Sequence, residues 1–139
     1  MDIREARESD YHELRQIYLE SRRTSFYWAN KDEMSLDDFD QDTIDESIVL
    51  AEEKGRILGF ISLYLPENFI HLLFVHPEHT GRRVGTRLVD YAAEKLNKPI
   101  RLKCVSANQK AMLFYEKNGW TKVKEEGERG EEYWILTLL

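Results

Sequence analysis

The sequence has one cysteine, Cys104, three prolines and no apolar run long enough to span a membrane. A lone cysteine excludes an internal disulfide and points to a reducing compartment. The opening stretch MDIREARESD lacks the apolar core of a signal peptide, so a cytoplasmic protein with no membrane partner is expected. Positive charge is not in excess: 20 Lys and Arg stand against 26 Asp and Glu, a net charge of −6 that argues against nucleic acid and mildly for a cationic partner. There are no repeats, no low-complexity segments and no linker. The Gly-Lys-Ser/Thr loop of P-loop NTPases and the G-x-G-x-x-G turn of dinucleotide binders are both absent. What is present is a chain of 139 residues, 42% hydrophobic and 33% charged, the size and composition of one globular domain over 1–139 with a real core.

Hydrophobic period and turn residues divide the chain into elements. IREA reads as a short strand, and Ser9 or Asp10 caps a helix that sets Leu14, Ile17, Tyr18 and Ser21 on one face. TSFYWANKDEM (24–34) has no period but holds three adjacent aromatics, and Ser35 with Asp38 resembles a capping box opening a short acidic helix to about Asp45. SIVLAEE and RILGFISLYL are strands joined by a hairpin at Lys54-Gly55. FIHLLFV (69–75) is a third, strongly apolar strand. A helix follows from about Val84 to Leu96, then the strand IRLKCV, a helix from Asn108 to Lys117 closed by Asn118-Gly119, and two strands around a Gly-rich turn at 127–130. The order β-α-α-β-β-β-α-β-α-β-β is that of an α/β domain with a mixed sheet.

Two stretches offer chemistry. In VHPEHTGRRVGTRLVDYA (75–92) a strand runs through a turn into a helix, and the free N–H groups and dipole of a helix start attract anions. A turn of this kind is more often plain punctuation. In NQKAMLFYEKNGW (108–120) Asn108 is a helix cap, Ala111, Phe114 and Tyr115 face inward, and Gly119 follows the helix end; packing explains nearly all of it.

Together the two stretches resemble the GCN5-related N-acetyltransferase (GNAT) family. The first is similar to its acetyl-CoA motif V-x-P-x-x-[R/Q]-x-x-G-x-[G/A] at Val75, Pro77 and Gly85, with Thr80 where Arg or Gln is usual and Arg83 where the first glycine is usual. The second carries N-x-x-A-x-x-F-Y-x-x-x-G-[FW] in full at Asn108, Ala111, Phe114, Tyr115, Gly119 and Trp120. The resemblance implies a GNAT-like splayed sheet over essentially the whole chain and acetyl-CoA as acyl donor, with no metal. It implies that the pantetheine arm pairs with the backbone at Leu73, Phe74 and Val75 and meets Asn108. The pyrophosphate would rest on the amides of Gly81, Arg82, Arg83, Val84, Gly85 and Thr86. Arg82, Arg83 and Arg87 would cluster around the CoA phosphates. Tyr115 would stand beside the thioester sulfur as general acid, since a phenol is a suitable proton source for a departing thiolate.

Acetylation of an amine also needs a base, because only about one lysine-like amine in a thousand is neutral at pH 7. His71 is the one ionisable group of FIHLLFV, and strict alternation sets it on one face with Leu73 and Val75. Glu67 or a water-mediated route are the alternatives, and a hydrogen-bonded core histidine is the plain reading. His76 and His79, in the turn, are expected to be solvated. Phe26, Tyr27 and Trp28 are the acceptor wall that the resemblance suggests; a cluster packed under a loop explains them equally well. The acidic run from Asp32 to Asp45 suits a cation or is a solvated helix face. Cys104 reads as a buried, inert thiol. The expected acceptor is a small amine, with a homodimer possible; a protein or peptide acceptor and a non-catalytic acyl-CoA-binding module are the other function classes.

Overall fold

The computed structural model describes residues 1–139, and its elements follow the order expected from the sequence. They are β1 (Asp2–Glu5), α1 (Tyr11–Ser25), α2 (Asp38–Asp42), β2 (Ser47–Glu53), β3 (Arg56–Tyr64), β4 (Phe69–Val75), α3 (Val84–Lys95), β5 (Ile100–Val105), α4 (Gln109–Lys117), β6 (Thr121–Glu126) and β7 (Tyr133–Leu138). The seven strands form one sheet in the order β1-β2-β3-β4-β5-β7-β6. Every neighbouring pair is antiparallel except β4 and β5, which the α3 crossover makes parallel. No helix is long and apolar enough to cross a membrane.

Each sheet face carries its own core. On one side Val84, Leu88, Val89 and Ala92 of α3 and Met112 and Tyr115 of α4 pack on Val49, Ile61, Ile70, Ile100 and Leu102. On the other, Leu14, Ile17 and Tyr18 of α1 and Phe39 of α2 cover Ile48, Leu50 and Phe60. The β2–β3 turn sets Lys54 at φ 53° and Gly55 at φ 77°, the two left-handed residues of a tight hairpin.

Two irregularities shape the middle of the sheet. The parallel pair β4/β5 is joined only at Phe69–Arg101 and Ile70–Leu102, so β4 beyond Ile70 has no neighbour on that side and the sheet splits open. At the same point β4 bulges: Leu63 pairs with Ile70 and Ser62 with Leu72, leaving His71 as the extra residue. Ile70 and Leu73, three apart, therefore both pack on the α3 side, and Leu72 and Phe74 on the α1 side.

Helix α2 is shorter than the acidic segment suggests, ending at Asp42 with Asp45 left-handed at φ 63°. Its acids are not a free solvated face. Asp38 takes the Ser35 N–H at 2.9 Å and an Arg22 N–H at 3.0 Å, Asp40 is forked by Arg15 at 2.8 Å, and Asp42 accepts the Tyr18 hydroxyl at 2.6 Å. These bonds tie α2 to α1 and hold the Asp38 and Asp40 carboxyls below their ordinary range, Asp38 first through the Ser35 N–H and Asp40 through Arg15.

Candidate functional site

The opening between β4 and β5 widens into a cleft of about 410 Å³ between β4, the start of α3 and the start of α4. Leu73, Phe74, Val75, Gly81, Arg83, Val84, Gly85, Thr86, Asn108 and Tyr115 all line it, and Ser21, Ser25 and Phe26 close its α1 end. Residues far apart in sequence thus meet where the sheet lacks a strand. Splayed backbone is itself a recognition surface, because unpaired strand groups await a ligand that pairs with them.

The helix start is a set of free donors. The first intrahelical bond of α3 runs from Arg87 N–H to Arg83 O at 3.1 Å, which leaves the amides of Val84, Gly85 and Thr86 unpaired. Gly81 turns the chain at φ 80° with open space around it. Gly85 serves packing instead: a Cβ there would sit 3.3 Å from Phe114 Cζ, so its absence lets α3 close on α4. Arg83, where the resemblance expects glycine, keeps the glycine conformation at φ 63°, ψ 19°. That left-handed backbone costs a non-glycine residue roughly 1–2 kcal/mol. Its side chain makes no capping bond, and the residue lies along the cleft.

Arg82 and Arg87 depart from expectation. Arg82 is not among the cleft residues; its guanidinium is drawn back to the β2–β3 hairpin by Glu53 and lies 3.3 Å from His79 Nδ1. Arg87 reaches the Met1 carbonyl at 3.5 Å. Of the three arginines, Arg83 alone is among the cleft residues.

Asn108 caps α4, its Oδ1 accepting the Ala111 N–H at 3.2 Å, so its amide N–H groups remain for a ligand. Tyr115 is buried between Phe114 and Trp120, with ring centroids 5.2 and 5.8 Å away. Burial pushes its phenol pKa above the usual value, with a smaller contribution from Cys104. The Cys104 thiol is itself buried and pushed up to about 11, as an inert thiol should be.

Of the three adjacent aromatics, only Phe26 enters the cleft. Trp28 stacks behind it, centroids 4.6 Å apart, and Tyr27, 75% exposed, donates its hydroxyl to Ala107 O at 2.8 Å. Tyr27 thereby ties this segment to the turn before α4 rather than walling the cleft.

His71 does not sit with Leu73 and Val75, and it does not line the cleft. The bulge breaks the period of two and turns the ring toward Glu46, whose Oε2 lies 2.7 Å from Nδ1. Glu67 lies in the exposed turn before β4. His76 is not simply solvated: its Nδ1 accepts the Glu78 N–H at 3.1 Å and its Nε2 meets Glu20 at 2.8 Å. His76, Glu78 and His79 bring ligand-type atoms within 4.8 Å of one another, but a metal there would displace the bonds that hold His76.

Comparison with known proteins finds relatives both in sequence and in fold. The profile described as Acetyltransferase (GNAT) family matches residues 8–120. The Bacillus subtilis (strain 168) protein called uncharacterized N-acetyltransferase YhfO is 30% identical, over 86% of this chain and 89% of its own. Among solved structures, apo YjaB from Escherichia coli superposes with a TM-score of 0.79 at 21% identity, covering 98% of this chain and 95% of that one. PaiA N-acetyltransferase from Thermoplasma acidophilum, solved with coenzyme A, superposes at 0.78 and 20% identity, over 97% and 96%.

Proposed function

The chain belongs to the acetyltransferase (GNAT) family, and from that premise we propose that acetyl-CoA fills the cleft and passes its acetyl group directly to a small primary amine. The observation that carries this reading is the meeting of an unpaired β4 edge, the free amides of Val84–Thr86 and a buried phenol in one cleft. The pantetheine takes the place of the missing strand along Leu73–Val75 and meets the Asn108 amide. The pyrophosphate lies on the α3 amides, where donors and dipole favour it. Phe26, with Trp28 behind it, bounds the acceptor end; this favours a small amine over a folded protein.

The amine nitrogen attacks the thioester carbonyl, whose developing oxyanion takes a β4 backbone N–H. The C–S bond then breaks, giving an N-acetyl amine and the CoA thiolate, and the second N–H proton of the collapsing adduct passes to solvent. Tyr115 donates a hydrogen bond to that thiolate. Its raised pKa keeps the phenol protonated over the working range, and also makes full proton transfer to a thiolate (ordinary thiol pKa about 8.5) unfavourable. Its role as acid is therefore chiefly electrostatic. His71, which lies outside the cleft, takes the proton of the amine through intervening water.

Acetyl-CoA at about 100 times its dissociation constant should stabilise the folded chain by about 2.7 kcal/mol. For a domain this size that is roughly 5–10 °C in Tm. A melting curve that does not move with acetyl-CoA or CoA overturns the cleft assignment. An amine panel assayed by thiol release then names the acceptor.

Arg83→Gly should leave the Tm of the free protein unchanged or raise it by up to a few degrees. It relieves roughly 1–2 kcal/mol of left-handed strain, but loosens the unfolded chain by about 0.4–1 kcal/mol. A change in affinity therefore reads the charge. Acetyl-CoA should bind the variant about 5- to 30-fold more weakly at low salt, with most of the loss gone at high salt. Tighter binding by the variant would mean that the arginine only obstructs the phosphate site.

A further inference from the structure

The bulge in β4 places His71 in a chain of bonds that nothing in its own strand suggests. Glu46 lies just before β2, and its side chain is only 10% exposed. A carboxylate so enclosed needs partners for both oxygens. Oε1 takes the hydroxyl of Ser62, a fully buried residue of β3, and Oε2 takes His71 Nδ1 at 2.7 Å. An ionised carboxylate only accepts, so Nδ1 carries the proton and the lone pair is left on Nε2. The ring is held by one nitrogen and stays 38% exposed. That is the arrangement a general base requires: fixed orientation, the correct tautomer, and a negative charge behind the ring to stabilise the imidazolium once it forms.

We propose that Glu46 is the positioning residue for His71, with Ser62 locking the carboxylate, so that Nε2 receives the proton lost by the acceptor amine. The proposal rests on the acetyl-transfer reading. His71 follows Ile70, the last point at which β4 is paired with β5, so its backbone stands where the sheet opens; its ring lies outside the cleft, and the proton reaches Nε2 through water. In the transfer the amine N–H bond breaks, the proton goes to Nε2, and the nitrogen lone pair forms the bond to the acetyl carbon.

The test is a double-mutant cycle with the full chain, acetyl-CoA and the best amine of the panel. Glu46→Gln, which keeps the shape and loses the charge, should lower kcat at least about 10-fold with KM for acetyl-CoA unchanged. In a His71→Ala background the same substitution should cost nothing more, because there is no ring left to position. Equal losses in both backgrounds would make Glu46 merely structural and overturn the proposal. In parallel, ¹⁵N NMR of the wild-type histidines should find the proton of neutral His71 on Nδ1; a proton on Nε2 also overturns it. A wild type that turns over no amine overturns the acetyl-transfer reading and with it the catalytic meaning of the pair. An active wild type with additive losses overturns the pair alone.

Discussion

Tyr115→Phe should lower kcat about 100-fold or more and leave the KM for acetyl-CoA and the Tm close to those of the wild type. The separation follows from where the hydroxyl is. The ring is buried against Phe114 and Trp120, and phenylalanine keeps those edge-on contacts. No hydrogen bond contributes to the shift of the phenol, which comes from burial and from Cys104. Deleting the hydroxyl therefore leaves no buried partner unsatisfied, and the change in stability should stay within about 0.5 kcal/mol. Acetyl-CoA is held mainly by groups the variant retains: the β4 backbone, Asn108 and the α3 amides. Only the expelled thiolate loses a donor, and charge that appears at the barrier in a water-poor cleft is where one donor counts most, about 10²–10³ in rate. Steady-state kinetics with thiol detection and a thermal melt of the same sample check both halves. Equal kcat in the two proteins removes Tyr115 from the mechanism. A fall in Tm would show that the ring, not the hydroxyl, was disturbed.

The features legible in the sequence are those in which one residue does a local geometric task. Asn108 caps a helix, Gly81 turns left-handed, and Lys54-Gly55 closes a hairpin whatever else surrounds them. The two faces of the sheet follow from periods of 2 and 3.6, and the element order follows from those. What escaped depends on partners distant along the chain. Arg82 is drawn to Glu53, and the acids of α2 are spent on Arg15, Tyr18 and Arg22. Neither could be read from a local run of charge. The bulge at His71 is a property of how β4 registers with β3, and a strand read alone shows only alternation. Glu46 had no signal at all, since its significance begins only when β2, β3 and β4 are side by side.

His71→Ala tests the most consequential of these readings. Loss of a general base costs about 10²–10⁴ in rate, so kcat for the amine should fall by at least about 100-fold at neutral pH. The ascending limb of kcat/KM against pH should also change, because the proton must now leave to water and the rate then follows the small fraction of amine already neutral. Raising the pH, or supplying an acceptor with a lower amine pKa, should therefore recover much of the lost activity in the variant. A defect of packing would recover with neither. Folding is not at stake to the same degree: the ring is 38% exposed, and its one bond is to Glu46. Glu46 left without the imidazole still has Ser62 and admits water in the space vacated. If the variant keeps both the wild-type rate and the wild-type ascending limb, proton removal belongs to water or to Glu67, and the histidine at the opening of the sheet is a structural plug for the bulge.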